Sequence, residues 1–137
     1  MRELRVEADA EKLHEVVAFV EEQLEEMGCP MKTQMQVHIA VEEIFVNIAS
    51  YAYNPGKGEA LIRMDTARGD GGIVLELMFM DSGKPFDPLA KEDPDMTLAA
   101  DETKIGGLGI FMTKQCMDEV RYEYRDGMNI LYLKKKF

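Results

Sequence analysis

Three short clusters in this sequence carry residue types able to handle a phosphorylated ligand. Glu43 and Asn47 stand four residues apart, so on a helix both fall on one face with Cβ atoms roughly 5–6 Å from each other. An amide oxygen is a hard ligand suited to magnesium, and a carboxylate beside it can orient or deprotonate a nucleophile. Asp81-Ser82-Gly83 supplies a second carboxylate just after an apolar run that closes at Met80. At a strand end such a carboxylate can accept from an exocyclic amine like that of adenine, and a glycine two residues on leaves room for a flat base. Gly106-Gly107-Leu108-Gly109 precedes the apolar run Ile110-Phe111-Met112. Glycines opening a helix free backbone N–H groups to cradle phosphate, and the helix dipole adds to the attraction. Lys104 and Lys114 flank that run with positive charge. Singly, each cluster also reads as ordinary structure: a solvated Glu–Asn pair, a strand-ending turn, a loose helix start.

These residues need elements to hold them. Asp9 offers a capping carboxylate, and Leu13, Val16, Val17, Val20, Leu24 and Met27 recur at helical spacing until Gly28 and Pro30 stop the helix. A second helix is expected from about Met31 to Tyr53, burying Val37, Val41, Ile44 and Ile48 and carrying Glu43 and Asn47 on a neighbouring flank. After the turn signal Asn54-Pro55-Gly56-Lys57-Gly58 the period changes. Ala60 to Thr66 and Ile73 to Met80 read as strands joined by a glycine-rich hairpin, and Arg2 to Glu7 as an edge strand. A short helix is expected over about Leu108 to Met117. Two strands follow, with Val120, Tyr122 and Tyr124 sharing one face and Met128, Ile130 and Tyr132 another, joined by the hairpin dipeptide Asp126-Gly127. The expected fold class is α+β: one domain over residues 1–137, a two-layer sandwich with helices on one face of a mostly antiparallel, mixed sheet. Ser82 to Lys104 fits no period and carries Pro85, Pro88 and Pro94. A loop this long inside a small domain is expected to serve function, here as a lid.

Composition narrows the classes. The 137-residue chain has 46% apolar residues and a formal net charge of -10, which argues against nucleic acid as a partner because phosphate backbones demand a basic face. Any phosphate ligand is expected to arrive with a cation. Cys29 and Cys116 have no ligand-spaced companions and read as two buried thiols of a reducing compartment. No apolar run reaches membrane-spanning length and no signal segment opens the chain, so a cytoplasmic protein is expected. P-loop, protein-kinase and dinucleotide-binding signatures are all missing.

Taken in order, the clusters resemble the three boxes of the GHKL ATPase superfamily, the Bergerat fold. Glu43-x-x-x-Asn47 looks like its N box, Asp81-x-Gly83 its G1 box and Gly106-x-x-Gly109 its G2 box. The runs V-E-E-I-F-V-N-I-A-S-Y-A-Y, D-S-G-K-P-F-D-P-L and I-G-G-L-G-I-F-M-T-K-Q-C-M-D-E-V resemble the compact branch of RsbW- and SpoIIAB-type anti-sigma-factor serine kinases. The resemblance covers roughly residues 31–137.

It implies ATP and Mg²⁺ as ligands, with Glu43 as general base and Asn47 holding the metal. Asp81 would accept from the adenine amine with Gly83 beside it. Gly106, Gly107, Leu108 and Gly109 would wrap the phosphates, Lys104 would stand nearby, and residues 84–105 would form the lid. The implied activity is transfer of the γ-phosphate to a serine of an anti-anti-sigma-like (STAS-type) protein, with a sigma factor as a second partner and a homodimer allowed. Two departures stand out. Where the superfamily often places a threonine in the late strand, this chain offers Met128-Asn129, an amide that could still hydrogen-bond at the adenine end. No lid arginine faces the terminal phosphate, leaving Lys104 as a point charge without an arginine's fork. An ATP-gated binding module without phosphotransfer is therefore the alternative. The catalytic half of a sensor histidine kinase is disfavoured, since no phospho-acceptor hairpin fits and His38 lies only five residues before Glu43.

Overall fold

The computed structural model describes residues 2–53, 56–69, 71–90 and 105–137. Its elements run β1 (Arg2–Glu7), α1 (Leu13–Glu26), α2 (Met31–Tyr51), β2 (Glu59–Gly69), β3 (Gly72–Asp81), α3 (Ile105–Cys116), β4 (Glu119–Arg125) and β5 (Met128–Lys136). The five strands form one sheet in the order β1-β2-β3-β5-β4. All four pairings are antiparallel, so the mixed character expected from the sequence is absent among the described residues.

Local signals account for most boundaries. Asp9 accepts from the Glu11 N–H at 3.0 Å and caps a single 3₁₀ turn that leads into α1. Gly28 ends α1 in the left-handed region, φ 71°, and the Cys29 N–H closes on the Leu24 carbonyl. The β4–β5 hairpin turns through Asp126 and Gly127, both with positive φ, as a two-residue turn of matching twist requires. The helix α2 stops two residues earlier than expected, at Tyr51, and α3 begins three residues earlier, at Ile105.

The core lies between the sheet and the helices. Val6, Ala60, Ile62, Met64, Leu75, Leu77, Phe79, Leu131 and Leu133 point inward from the strands and meet Val16, Val20, Leu24, Val37, Val41, Ile44 and Phe45. The period-two alternation of the strands sends Leu61, Met80 and Ile130 to the opposite face, where Met78, Met128 and Tyr132 pack around them. Helix α2 occupies the centre of the helical layer, in contact with both α1 and α3. His38 ties it to α1, with Nδ1 2.7 Å from Glu21 Oε1, and the hydrogen bond to Glu21 holds the imidazole pKa above its ordinary value. Cys29 and Cys116 are both buried free thiols.

Candidate functional site

One cleft opens between the C-terminal half of α2, the ends of β3 and β5, and the chain that leaves β3. It encloses about 450 Å³ of empty space, counting its mouth. Ile44, Ile48, Phe79, Ile110 and Leu131 give it apolar walls, Phe86 and Pro88 close one side, and Asn47, Asp81, Lys84, Tyr122 and Asn129 supply its polar atoms. Apolar walls with a few convergent polar groups are the usual chemistry of a small-molecule site.

Asn47 and Asp81, distant in sequence, meet here because α2 packs over the end of β3. Asp81 is 5% exposed and is the last residue of β3. Its Oδ1 accepts from the Gly83 N–H and from Asn129 Nδ2, both at 2.9 Å. Among the described residues Oδ2 takes no hydrogen bond, which leaves it open to a donor in the cleft. Burial pushes the Asp81 carboxyl above its ordinary pKa, and the hydrogen bonds from Asn129 and Gly83 oppose that shift. Asn47 donates from Nδ2 to Glu43 Oε1 at 3.3 Å. Only the amide nitrogen can donate to a carboxylate, so the amide oxygen is the atom left for a hard cation. Glu43 does not line the cleft wall; it sits one turn back on α2, joined to the cleft through Asn47. Burial raises its pKa too, which moves a carboxylate towards the range useful for a base near neutrality.

The remaining expected residues fall out unevenly. Gly106–Gly109 form the first turn of α3 rather than a loop before it, and Ile110 carries that helix to the cleft. Lys114 lies in the last turn, at the far end from the glycines. Lys104 and most of the expected lid, residues 91–104, lie outside the described residues. Gly83 has a reason other than room for a base: a Cβ there would stand 2.2 Å from the Ala52 carbonyl oxygen. The Lys84 N–H donates to that same carbonyl at 2.9 Å, so the glycine lets the end of β3 touch the end of α2. Tyr53 reinforces the junction, its hydroxyl accepting from the Ser82 N–H and donating to the Glu59 carbonyl.

Two residues of the wall, Tyr122 and Lys84, had no role assigned from the sequence. Tyr122 donates its hydroxyl to Asn129 Oδ1, and Lys84 contributes its backbone carbonyl. Asn129, named above for the adenine end, also carries a signal in its pattern: it stands at an inward position of a strand whose other inward residues are Leu131 and Leu133. A polar group buried at such a position needs a partner and marks a site worth inspecting.

A family described as the histidine kinase-like ATPase domain matches residues 6–135, nearly the whole chain. The chain belongs to that family. Within it, the chain is 30% identical over 115 residues to the serine-protein kinase RsbW of Bacillus subtilis, covering 79% of this chain and 68% of the relative. It is 27% identical to RsbW of Bacillus velezensis, covering 96% of this chain and 83% of that protein. The serine/threonine-protein kinase BtrW of Bordetella bronchiseptica is 28% identical over 96 residues, and the match spans 65% of BtrW's length. The crystal structure of the RsbU and RsbW domains of a Mycobacterium tuberculosis protein superposes with a TM-score of 0.65 at 19% identity, covering 99% of this chain and 32% of that one. That likeness shows the fold. The resemblance read from the three boxes is thus a true membership, in the part of the ATPase-domain family that holds RsbW-type serine kinases.

Proposed function

We propose that this histidine kinase-like ATPase domain binds Mg-ATP in the cleft and transfers the γ-phosphate to a serine hydroxyl of a partner protein. The observation that supports this best is Asp81 Oδ2, an open acceptor on a buried carboxylate within an apolar slot. A flat base fits apolar walls, and its exocyclic amine supplies the donor that the carboxylate lacks. Asn47 would hold Mg²⁺ through its amide oxygen, and the metal would supply charge neutralisation between the phosphates. The first turn of α3 would meet the phosphates with backbone N–H groups made accessible by Gly106, Gly107 and Gly109. Leu108 shares that turn, and Lys104 would add charge beside it.

Glu43 would take the proton from the serine hydroxyl as its oxygen bonds to the γ-phosphorus and the bond to the β-phosphate oxygen breaks, releasing ADP. Its raised pKa suits that task, since a base held nearer neutrality accepts a proton with more driving force. The proposed substrate is a small anti-anti-sigma-like protein of STAS type, a sigma factor is the proposed second partner, and the setting is cytoplasmic. No described helix is long and apolar enough to cross a membrane.

The test is incubation of the protein with γ-labelled ATP, magnesium and candidate serine-bearing antagonist proteins. Phosphoserine should form, and Glu43→Gln should slow it by about 10²–10⁴-fold while ATP still binds. Tight ATP binding without phosphoserine would favour the alternative, an ATP-gated binding module. That reading draws on the absence of any arginine in residues 84–105.

A further inference from the structure

Asn129 is 7% exposed and sits on β5 directly opposite Asp81 of β3. An amide side chain has two N–H hydrogens and an oxygen able to accept two hydrogen bonds. Here all four are used. Nδ2 donates to Asp81 Oδ1 at 2.9 Å and to the Lys84 carbonyl at 2.8 Å, while Oδ1 accepts from the Phe86 N–H at 3.0 Å and from the Tyr122 hydroxyl. The orientation is dictated by the partners, because a flipped amide would set its nitrogen against two donors. A residue so saturated has nothing left to offer a base. The direct bond to adenine that the sequence allowed for Asn129 is therefore not available to it.

Its partners are of two kinds. Asp81 is the carboxylate assigned above to the base. Lys84 and Phe86 belong to the segment that leaves β3 and walls the cleft, with Phe86 packed against the Tyr51 ring at a centroid distance of 5.9 Å. We propose that Asn129 is a positioning residue that couples recognition of the base to the seating of residues 84–86 beside it, without touching nucleotide. Together with the Gly83 N–H it occupies Asp81 Oδ1, which fixes the carboxylate with Oδ2 towards the cleft. An amine donor at Oδ2 favours the ionised carboxylate, and an ionised Asp81 is a stronger acceptor for Nδ2 than a protonated one. Polarising the amide in that direction strengthens Oδ1 as acceptor for the Phe86 N–H, because hydrogen bonds in a chain reinforce one another. Base binding at one end thus tightens the wall at the other. The inference rests on the nucleotide reading of Asp81 given above.

A double-mutant cycle on ATP affinity tests it, using the parent, Asp81→Asn, Asn129→Ala and the double variant. Asn129→Ala should weaken ATP about tenfold in the parent and less than about threefold when Asp81 is already replaced, the signature of residues that act through one another. Hydrogen exchange supplies a second readout: saturating ATP should add protection at the Phe86 amide of the parent and none in Asn129→Ala. Asn129→Thr covers the case in which the alanine variant does not fold. A threonine hydroxyl can still donate to Asp81 but cannot also hold Lys84 and Phe86, so the added protection should disappear and ATP affinity should fall by less than in Asn129→Ala. Equal ATP losses in both backgrounds, or ATP-dependent protection of Phe86 persisting without Asn129, would overturn the coupling alone. A parent that does not bind ATP, or an Asp81→Asn variant that binds it as the parent does, would overturn the nucleotide reading and the coupling with it.

Discussion

Asp81 carries its charge at a cost, since burial disfavours the ionised form and the hydrogen bonds to Oδ1 only partly offset this. A carboxyl whose folded pKa lies above its unfolded value stabilises the fold at low pH, and that contribution is lost as pH rises through the folded value. Ligand binding has the opposite preference: the ionised form is the stronger acceptor from an amine. Asp81→Asn should therefore melt no lower than the parent at pH 8 without nucleotide, yet lose about 1.5–3 kcal/mol of ATP affinity. In the parent, ATP affinity should weaken as pH falls through the raised pKa of Asp81, and calorimetry across pH checks both statements. An asparagine variant that melted well below the parent would make Asp81 a structural residue first. Little of this was legible in advance. The sequence offered the carboxylate at a strand end, but its burial and its two donors come from residues 2 and 48 positions away.

Among the elements, α2 carries Glu43 and Asn47, and it was legible from sequence because one period suffices: Val37, Val41, Ile44 and Ile48 turn to the core and leave those two on the flank. Strand faces were legible for the same reason, with Ile130 and Tyr132 outside and Tyr122 inside. Strand order was not legible. Nothing local states that β5 inserts between β3 and β4, yet that insertion is what brings Asn129 to Asp81. Gly83 shows the same limit at a junction of elements, since nothing local states that a Cβ there would meet the backbone of Ala52. Gly83→Ala should push the end of β3 away from α2 and break the Lys84–Ala52 hydrogen bond, destabilising the fold by about 1–3 kcal/mol. Denaturant melts would measure the loss. A neutral substitution would mean that the junction relaxes at no cost.

Over the whole molecule, charge and shape pull differently. The outer face of the sheet is banded: Arg5, Leu61, Met80, Ile130 and Glu123 align across the five strands, so charged residues at both edges bracket an apolar centre. On the edge strand β4, Arg121 pairs with Glu119 and Arg125 with Glu123, and charged edges discourage pairing with another sheet. The net charge of -10 sets a field that repels an anionic nucleotide at long range, and salt screens such fields over a Debye length of about 8 Å at 0.15 M. Association of Mg-ATP should accordingly speed up as ionic strength rises from low values. Stopped-flow mixing with a fluorescent ATP analogue would report it, and a rate that falls with added salt would instead give control to local positive charge such as Lys84 in the cleft wall.

The four hydrogen bonds of Asn129 carry one obligation beyond their own geometry. A coupling free energy between two sites runs equally in both directions. If a bound base makes residues 84–86 harder to displace, any protein that clamps those residues makes the base harder to release, by the same factor. Such a partner would trap whichever nucleotide was present when it docked. Turnover would then wait on departure of the partner, and the spent nucleotide would serve as a timer set by the complex itself.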